Sequence, residues 1–215
     1  MRVMYTTVAQ VKTGQMEAAI GLAAESAAIM RRHGADVRLF LSAAAGEQID
    51  TTLMSLEFES PDAMAEAFDS VGEDTEQQAF MARLHSPDAP TVMTNQAMSM
   101  VLPIRAPAEG QGGLLEVHTN TVHPGRFEDY VAQSLEVCDF VEANGAVNAR
   151  VIQLTYAGMA SGMSAITWEV ENWRAQAGLG AAWMSDAGIA LQEKANGANA
   201  PSASLSSAIY MSIPI

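Results

Sequence analysis

His118 is the side chain whose neighbours best equip it to move a proton. It stands two residues from Glu116 and two from Asn120, and strand residues two apart project from the same face. A neutral imidazole beside a carboxylate exchanges protons near neutral pH. The Asn120 amide supplies a donor for a carbonyl or enolate oxygen, so the set suits proton transfer next to a carbonyl. Glu169, on a later strand, is the acid expected to reach His118 on that face. Read structurally, a lone strand histidine is a satisfied packing residue.

Arginine and glutamate recur in matched positions. Arg38 and Glu57 lie on successive strand-like stretches, and Arg150 and Glu169 occupy the same places later in the chain. Each set reads first as a cross-strand ion pair that keeps register inside a sheet interface, because buried charges need partners. The functional reading makes Arg150 and Glu116 substrate contacts beside His118. Trp168 and Tyr130 are the aromatic residues expected to wall a pocket, with Trp173 and Trp183 near by. Read structurally, each of them is first an ordinary core residue.

Other chemistry is poorly supported. Nucleotide-binding loops, zinc-finger spacings, the nucleophile elbow and calcium-loop signatures are absent. His33, His85, His118 and His123 form no helical pair four residues apart, so no metal site and no cofactor is expected. His33 and His85 fall at helix C-termini, where the ring suits the dipole. The one cysteine, Cys138, sits in an amphipathic helical run and reads as a small buried hydrophobe.

The elements that carry these residues repeat. Laid on itself, the chain places Val11, Gly14, Glu17, Glu25, Gly34 and Ala35 on Val122, Gly125, Glu128, Glu136, Gly145 and Ala146. After one inserted residue, Arg38, Gly46, Glu57 and Glu59 fall on Arg150, Gly158, Glu169 and Glu171. Both copies end in a strand closing with Pro-Ile, at Ile104 and at Ile215. The alignment predicts one unit at 1–104 and a second at 112–215, with linker composition over 105–113.

Each unit reads β-α-β-β-α-β. In the first, strands are expected at Val3–Ala9, Val37–Ser42, Thr52–Glu59 and Asn95–Leu102. Helices are expected over 15–33 and from Pro61 to Leu84, the second broken near Gly72 and capped by Ser60. In the second unit the strands are Leu114–Val122, Arg150–Tyr156, Ser164–Glu171 and Ser204–Ile213. Its helices are Arg126–Asn144 and Trp173–Ala195, the latter broken near Gly178–Gly180. This is an α+β fold of two ferredoxin-like units, each with two helices on one sheet face. Packing the bare sheet faces together within the chain leaves the helices outside. On this reading Glu116, His118 and Asn120 share the inner face with Arg150 and Glu169, and Leu115 and Val117 meet the helices.

Element order, length and the Val-x-x-Gly entry to each first helix (Val11 and Gly14, Val122 and Gly125) resemble the dimeric α+β barrel superfamily in tandem form. The resemblance is to its NIPSNAP-like and antibiotic-biosynthesis-monooxygenase-like branches and covers nearly all of both copies. The usual acid four residues past the glycine is Ala18 in the first copy, with Glu17 and Glu128 one place earlier. The resemblance implies a small-molecule cavity that holds aromatic or polyketide-like ligands between sheet and helices. It also implies cofactor-independent oxygenation, cyclisation or isomerisation of a small apolar carbonyl or phenolic compound. Some relatives hold haem through a helix histidine, a role for which His33 and His85 are poorly placed. The competing expectation is a non-catalytic binding or assembly protein of the same fold.

Composition sets the outer bounds. The 215 residues are 49% hydrophobic and 17% charged, enough for a packed core. A net charge of −14 and a pI near 4.5 leave no basic stripe for a phosphate backbone or an anionic membrane. Partners are therefore expected to be small molecules, in a monomeric pseudo-dimer or a homodimer. Met1 to Tyr5 enter a strand pattern at once, without the apolar run of a leader, so a cytoplasmic location is expected.

Overall fold

The computed structural model describes residues 1–46 and 49–215. The first half runs β1 (Val3–Val11), α1 (Met16–Arg32), β2 (Asp36–Ala44), β3 (Thr51–Phe58), α2 (Pro61–Glu73), α3 (Thr75–Leu84) and β4 (Thr91–Val101). The second repeats it as β5 (Leu114–Val122), α4 (Phe127–Ala143), β6 (Val147–Tyr156), β7 (Ser164–Val170), α5 (Trp173–Trp183), α6 (Asp186–Asn196) and β8 (Ser202–Ile213). A short 3-10 turn at Gly158–Ala160 joins β6 to β7.

Local chemistry explains most boundaries. Gly14 and Gly125 take φ of +76° and +75° just before the first helix of each half, and Gly34 and Gly145 take +90° and +93° just after it. That left-handed conformation is cheap only without a Cβ, so the same four turns open and close α1 and α4. Ser60 caps α2 through the Ala63 N–H, with Pro61 in the first turn, and Asn172 caps α5 through the Arg174 and Ala175 N–H groups.

The expected break near Gly178–Gly180 is displaced. The helix runs through both glycines to Trp183, with Met184 as its C-cap, because Ser185 Oγ accepts from the Gly188 N–H and starts α6. Glycine weakens a helix without ending it, whereas a side-chain cap defines a new start. Asp74 makes the corresponding break in the first half, two residues beyond Gly72. Three strands also begin two or more residues earlier than expected, β4 from Thr91, β6 from Val147 and β8 from Ser202.

The eight strands form one closed barrel in the order β1-β3-β2-β8-β5-β7-β6-β4. Each half contributes a four-stranded antiparallel sheet, β4-β1-β3-β2 or β6-β7-β5-β8, and the seams β2–β8 and β4–β6 join them. Exchanging the halves maps this cyclic order onto itself, as two equivalent units require. Closure leaves no unpaired sheet edge in the ring.

Hydrophobic burial is divided among three bodies. One lies between the first sheet and α1–α3, around Met30, Leu56, Phe58 and Val71. Its counterpart lies between the second sheet and α4–α6, around Tyr130, Cys138, Val141 and Trp168. The third fills the barrel lumen, where Met4, Ile152 and Ala165 pack with Val117 and Leu154. Cys138 has no exposed surface, and burial pushes its thiol up.

The apolar lumen corrects the expected facing of β5. Leu115 and Val117 line the lumen, while Glu116, His118 and Asn120 point to the helices. Register explains why. Glu116 stands opposite Trp168 and His118 opposite Ile166, whereas Glu169 stands opposite Leu115. Directly paired residues share a face, so Glu169 lies on the other side of the sheet from His118.

The paired charges are also rearranged. Arg38 pairs with Glu169, and Arg150 with Glu57 at 2.6 Å, so each arginine reaches the glutamate of the other half. The expected pairs Arg38–Glu57 and Arg150–Glu169 do not form. Arg38 is opposite Ser55 and Arg150 opposite Thr167. From these places each guanidinium extends across one mouth of the lumen. Arg2 adds a second cation to Glu57 at 3.0 Å.

Residues 105–113 cover this mouth. Gly112 donates its N–H to Glu169 Oε2 at 2.7 Å, Ala108 donates to Glu142 Oε1 at 2.9 Å, and Arg105 pairs with Glu142. A segment of linker composition is thus fastened as a strap.

Candidate functional site

A cavity of about 350 Å³ lies between the second-half sheet and the helices α4, α5 and α6. Six residues named from the sequence meet there: Glu116, His118, Asn120, Trp168, Tyr130 and Trp183. Tyr130, Ser134 and Trp168 form its buried depth, and the exposed residues Gln192, Asn196, Ser204 and Ser207 form its rim. Glu169 and Arg150 are not part of it. They belong to the lumen mouth, where their charges are spent on Arg38 and Glu57.

His118 is held at both ring nitrogens. Its Nε2 lies 2.7 Å from Glu116 Oε1, and its Nδ1 lies 2.8 Å from Ser207 Oγ. A carboxylate accepts only, so Nε2 carries the proton and Nδ1 presents a lone pair to the serine hydroxyl. The ring stacks on Trp168, with centroids 4.6 Å apart and planes 18° from parallel. Glu116 is fixed in turn, since its Oε2 accepts from Trp168 Nε1 at 3.1 Å and from Gln176 Nε2 at 2.8 Å. Three donors thus hold this carboxylate, at 14% exposure, on the imidazole's protonated side.

Buried hydrogen-bonding groups that line the cavity include Tyr130, Gln133 and Ser134. Tyr130 is 2% exposed and near Asn120 Nδ2 at 3.5 Å; Asn120 also donates to the His118 carbonyl at 3.1 Å. Burial pushes the Tyr130 phenol up to about 12, with Ser134 and Asn120 opposing, so it keeps its proton throughout the neutral range. Gln133 is 6% exposed and lines the cavity one helical turn after Tyr130. Its Nε2 has no hydrogen-bond partner among the described residues. A buried N–H₂ without an acceptor is costly, and an oxygen placed in the cavity would relieve it.

Ser207, Gln133 and Gln176 were not evident from the sequence. Gln133 carries a weak signal, three residues from Tyr130 on an amphipathic helix. Ser207 carries none, because only the β5–β8 register sets it opposite His118.

No family model matches the sequence, and no curated protein matches it. Solved structures do match over almost the whole chain. A candidate monooxygenase from Fusobacterium nucleatum superposes with a TM-score of 0.65 at 10% identity, covering 99% of this chain and 93% of the other. An anthrone oxidase-like protein gives a TM-score of 0.62 at 11% identity, over 99% and 92%. A chlorite dismutase variant from Candidatus Nitrospira defluvii gives 0.53 at 9% identity, over 99% and 91%. The chain has the dimeric α+β-barrel fold, completed here within one polypeptide. Among the described residues no helix is long and apolar enough to cross a membrane, and no group of three or more His, Cys, Asp or Glu is arranged to hold a metal ion.

Proposed function

We propose that this dimeric α+β barrel binds a small planar carbonyl or phenolic compound in the second-half cavity, and that His118 moves a proton on it. The observation that carries the reading is the Glu116–His118–Ser207 hydrogen-bond chain at a cavity with an unpaired buried donor, Gln133 Nε2. Likeness in fold to an anthrone oxidase-like protein is in keeping with that substrate class.

The roles follow from the geometry. The aromatic walls Trp168 and Trp183 receive a flat ring by stacking. Gln133 Nε2 and the protonated Tyr130 hydroxyl donate to the substrate oxygen and stabilise the charge that develops there. Ser207, exposed at the rim, turns its hydroxyl away from Nδ1. Nδ1 then takes a proton from an acidic C–H next to the carbonyl, or from a phenol. Glu116 stabilises the resulting imidazolium at Nε2. The substrate anion then has three outlets: reprotonation at another carbon, ring closure, or reaction with molecular oxygen. All three begin with this transfer.

A thermal-shift panel of aromatic ketones and phenols, anthrone among them, identifies a binder, because ligand binding raises the melting temperature by mass action. Hydrogen–deuterium exchange at the acidic carbon of that binder then reports the proton step. His118→Ala is expected to slow exchange by about 10²–10⁴-fold at nearly unchanged melting temperature. Thr7→Ala, the matching position in the first half, should leave it unchanged. Equal exchange by His118→Ala and wild type removes the histidine from the reaction and leaves a binding protein.

A further inference from the structure

The crevice between the first-half sheet and its helices is the twin of the one around His118, with its chemistry inverted. Where β5 presents Glu116, His118 and Asn120, β1 presents Tyr5, Thr7 and Ala9. Where α4 presents Tyr130, Gln133 and Ser134, α1 presents Ala19, Leu22 and Ala23. Leu56 stands in place of Trp168. These smaller or apolar replacements leave a cavity of about 260 Å³ with no Lys, Arg, Asp or Glu among the described residues of its lining. Met54, Met81 and Met93 form part of the wall, and methionine adapts to irregular guests.

An apolar cavity large enough for a guest stays dry and takes up apolar molecules. The wall is mainly apolar, although Tyr5, Thr7, Ser26, Thr52, Thr91 and Gln96 also line it. Among its described residues only Gln77 has a buried side-chain atom left without a hydrogen-bond partner, its Oε1. An orphaned acceptor asks for a donor, just as the orphaned Gln133 amide in the other half asks for an acceptor.

We propose that the first-half cavity is a second ligand site, which takes an uncharged, mainly aliphatic molecule whose single hydroxyl donates to Gln77 Oε1. This site is independent of His118. The apolar walls supply the binding energy, and the glutamine selects a hydroxyl over an ether or a hydrocarbon.

Calorimetry with n-octanol and its methyl ether tests the assignment, since the two differ in the donor and share the apolar body. The wild-type chain should bind octanol about tenfold more tightly than the ether. Binding should carry a negative heat-capacity change. Gln77→Leu should erase the preference while still binding both. Ala23→Phe, which fills the cavity, should abolish binding, and His118→Ala should leave it intact. Spectra of methyl-labelled methionine in the unaltered chain locate the ligand without any substitution. Octanol should shift Met54, Met81 and Met93 but not Met159 or Met184, which are 98% and 73% exposed. Three results would each overturn the proposal: no binding of octanol, an ether bound as tightly as the alcohol, or binding lost in His118→Ala with those three methionines unmoved.

Discussion

Truncating Glu169 to alanine tests how the two halves are locked together. Its carboxylate is 1% exposed and receives the Arg38 guanidinium, the Asn148 Nδ2 at 2.7 Å and the Gly112 N–H at 2.7 Å. Glu169→Ala leaves three donors facing an empty place, one of them a cation only 14% exposed. Removing one partner of a buried pair costs about 3–5 kcal/mol, mostly because the other charge stays buried. For a chain of this size each kcal/mol lowers the melting temperature by about 2–4 °C, so a fall of about 6–20 °C is expected. Glu169→Gln keeps an acceptor for the strap and should lose less. Replacing Arg38 and Glu169 together by methionine should recover most of the loss, since an apolar pair of similar volume leaves no stranded charge. Melting followed by circular dichroism at fixed pH reads all three variants. A Glu169→Ala midpoint within about a degree of wild type would show that water reaches the pair, and the account of a dry, cross-locked mouth would fail.

Two further perturbations probe the strap and the buried phenol. A Cβ at Gly112 would lie 2.5 Å from the Val170 carbonyl oxygen and 2.8 Å from Glu169 Cβ, so Gly112→Ala must lift the strap; the expected loss is about 1–3 kcal/mol, with faster exchange of the Asn148 amide that Ala108 O now accepts, and an unchanged midpoint would contradict it. Tyr130 ionises at about 12 in the folded chain against 10.0 when free, so its burial costs nothing below pH 10 and erodes stability as pH rises from 10 toward 12, by about 2–3 kcal/mol in all; Tyr130→Phe should flatten that part of the alkaline fall, to which the raised Cys138, Tyr5 and Tyr210 also contribute, and parallel curves for the two chains would refute the assignment.

The sequence by itself determined what local chemistry controls. Glycines at matched places set the turns around α1 and α4, Ser60 and Pro61 started a helix, and alternation marked the strands. The repeat then specified two sheets that each needed cover, and from there a barrel with helices outside. Tertiary structure decided which strand face meets which layer. Apolar alternation is a guide to facing only when one side of a sheet is dry, and here both sides are: Leu115 and Val117 fill the lumen while Trp168 packs under the helices. His118 therefore lies with Trp168 and away from Glu169, which no spacing along β5 reveals. The arginine–glutamate pairing was also beyond local reading. Both glutamates are compatible with either arginine in sequence, and only the closure of the ring sets Glu169 within reach of Arg38 and Glu57 within reach of Arg150. Ser207 enters the site for the same reason. Its partnership with His118 is a matter of register between strands almost ninety positions apart, and register is fixed by the packing of the whole sheet.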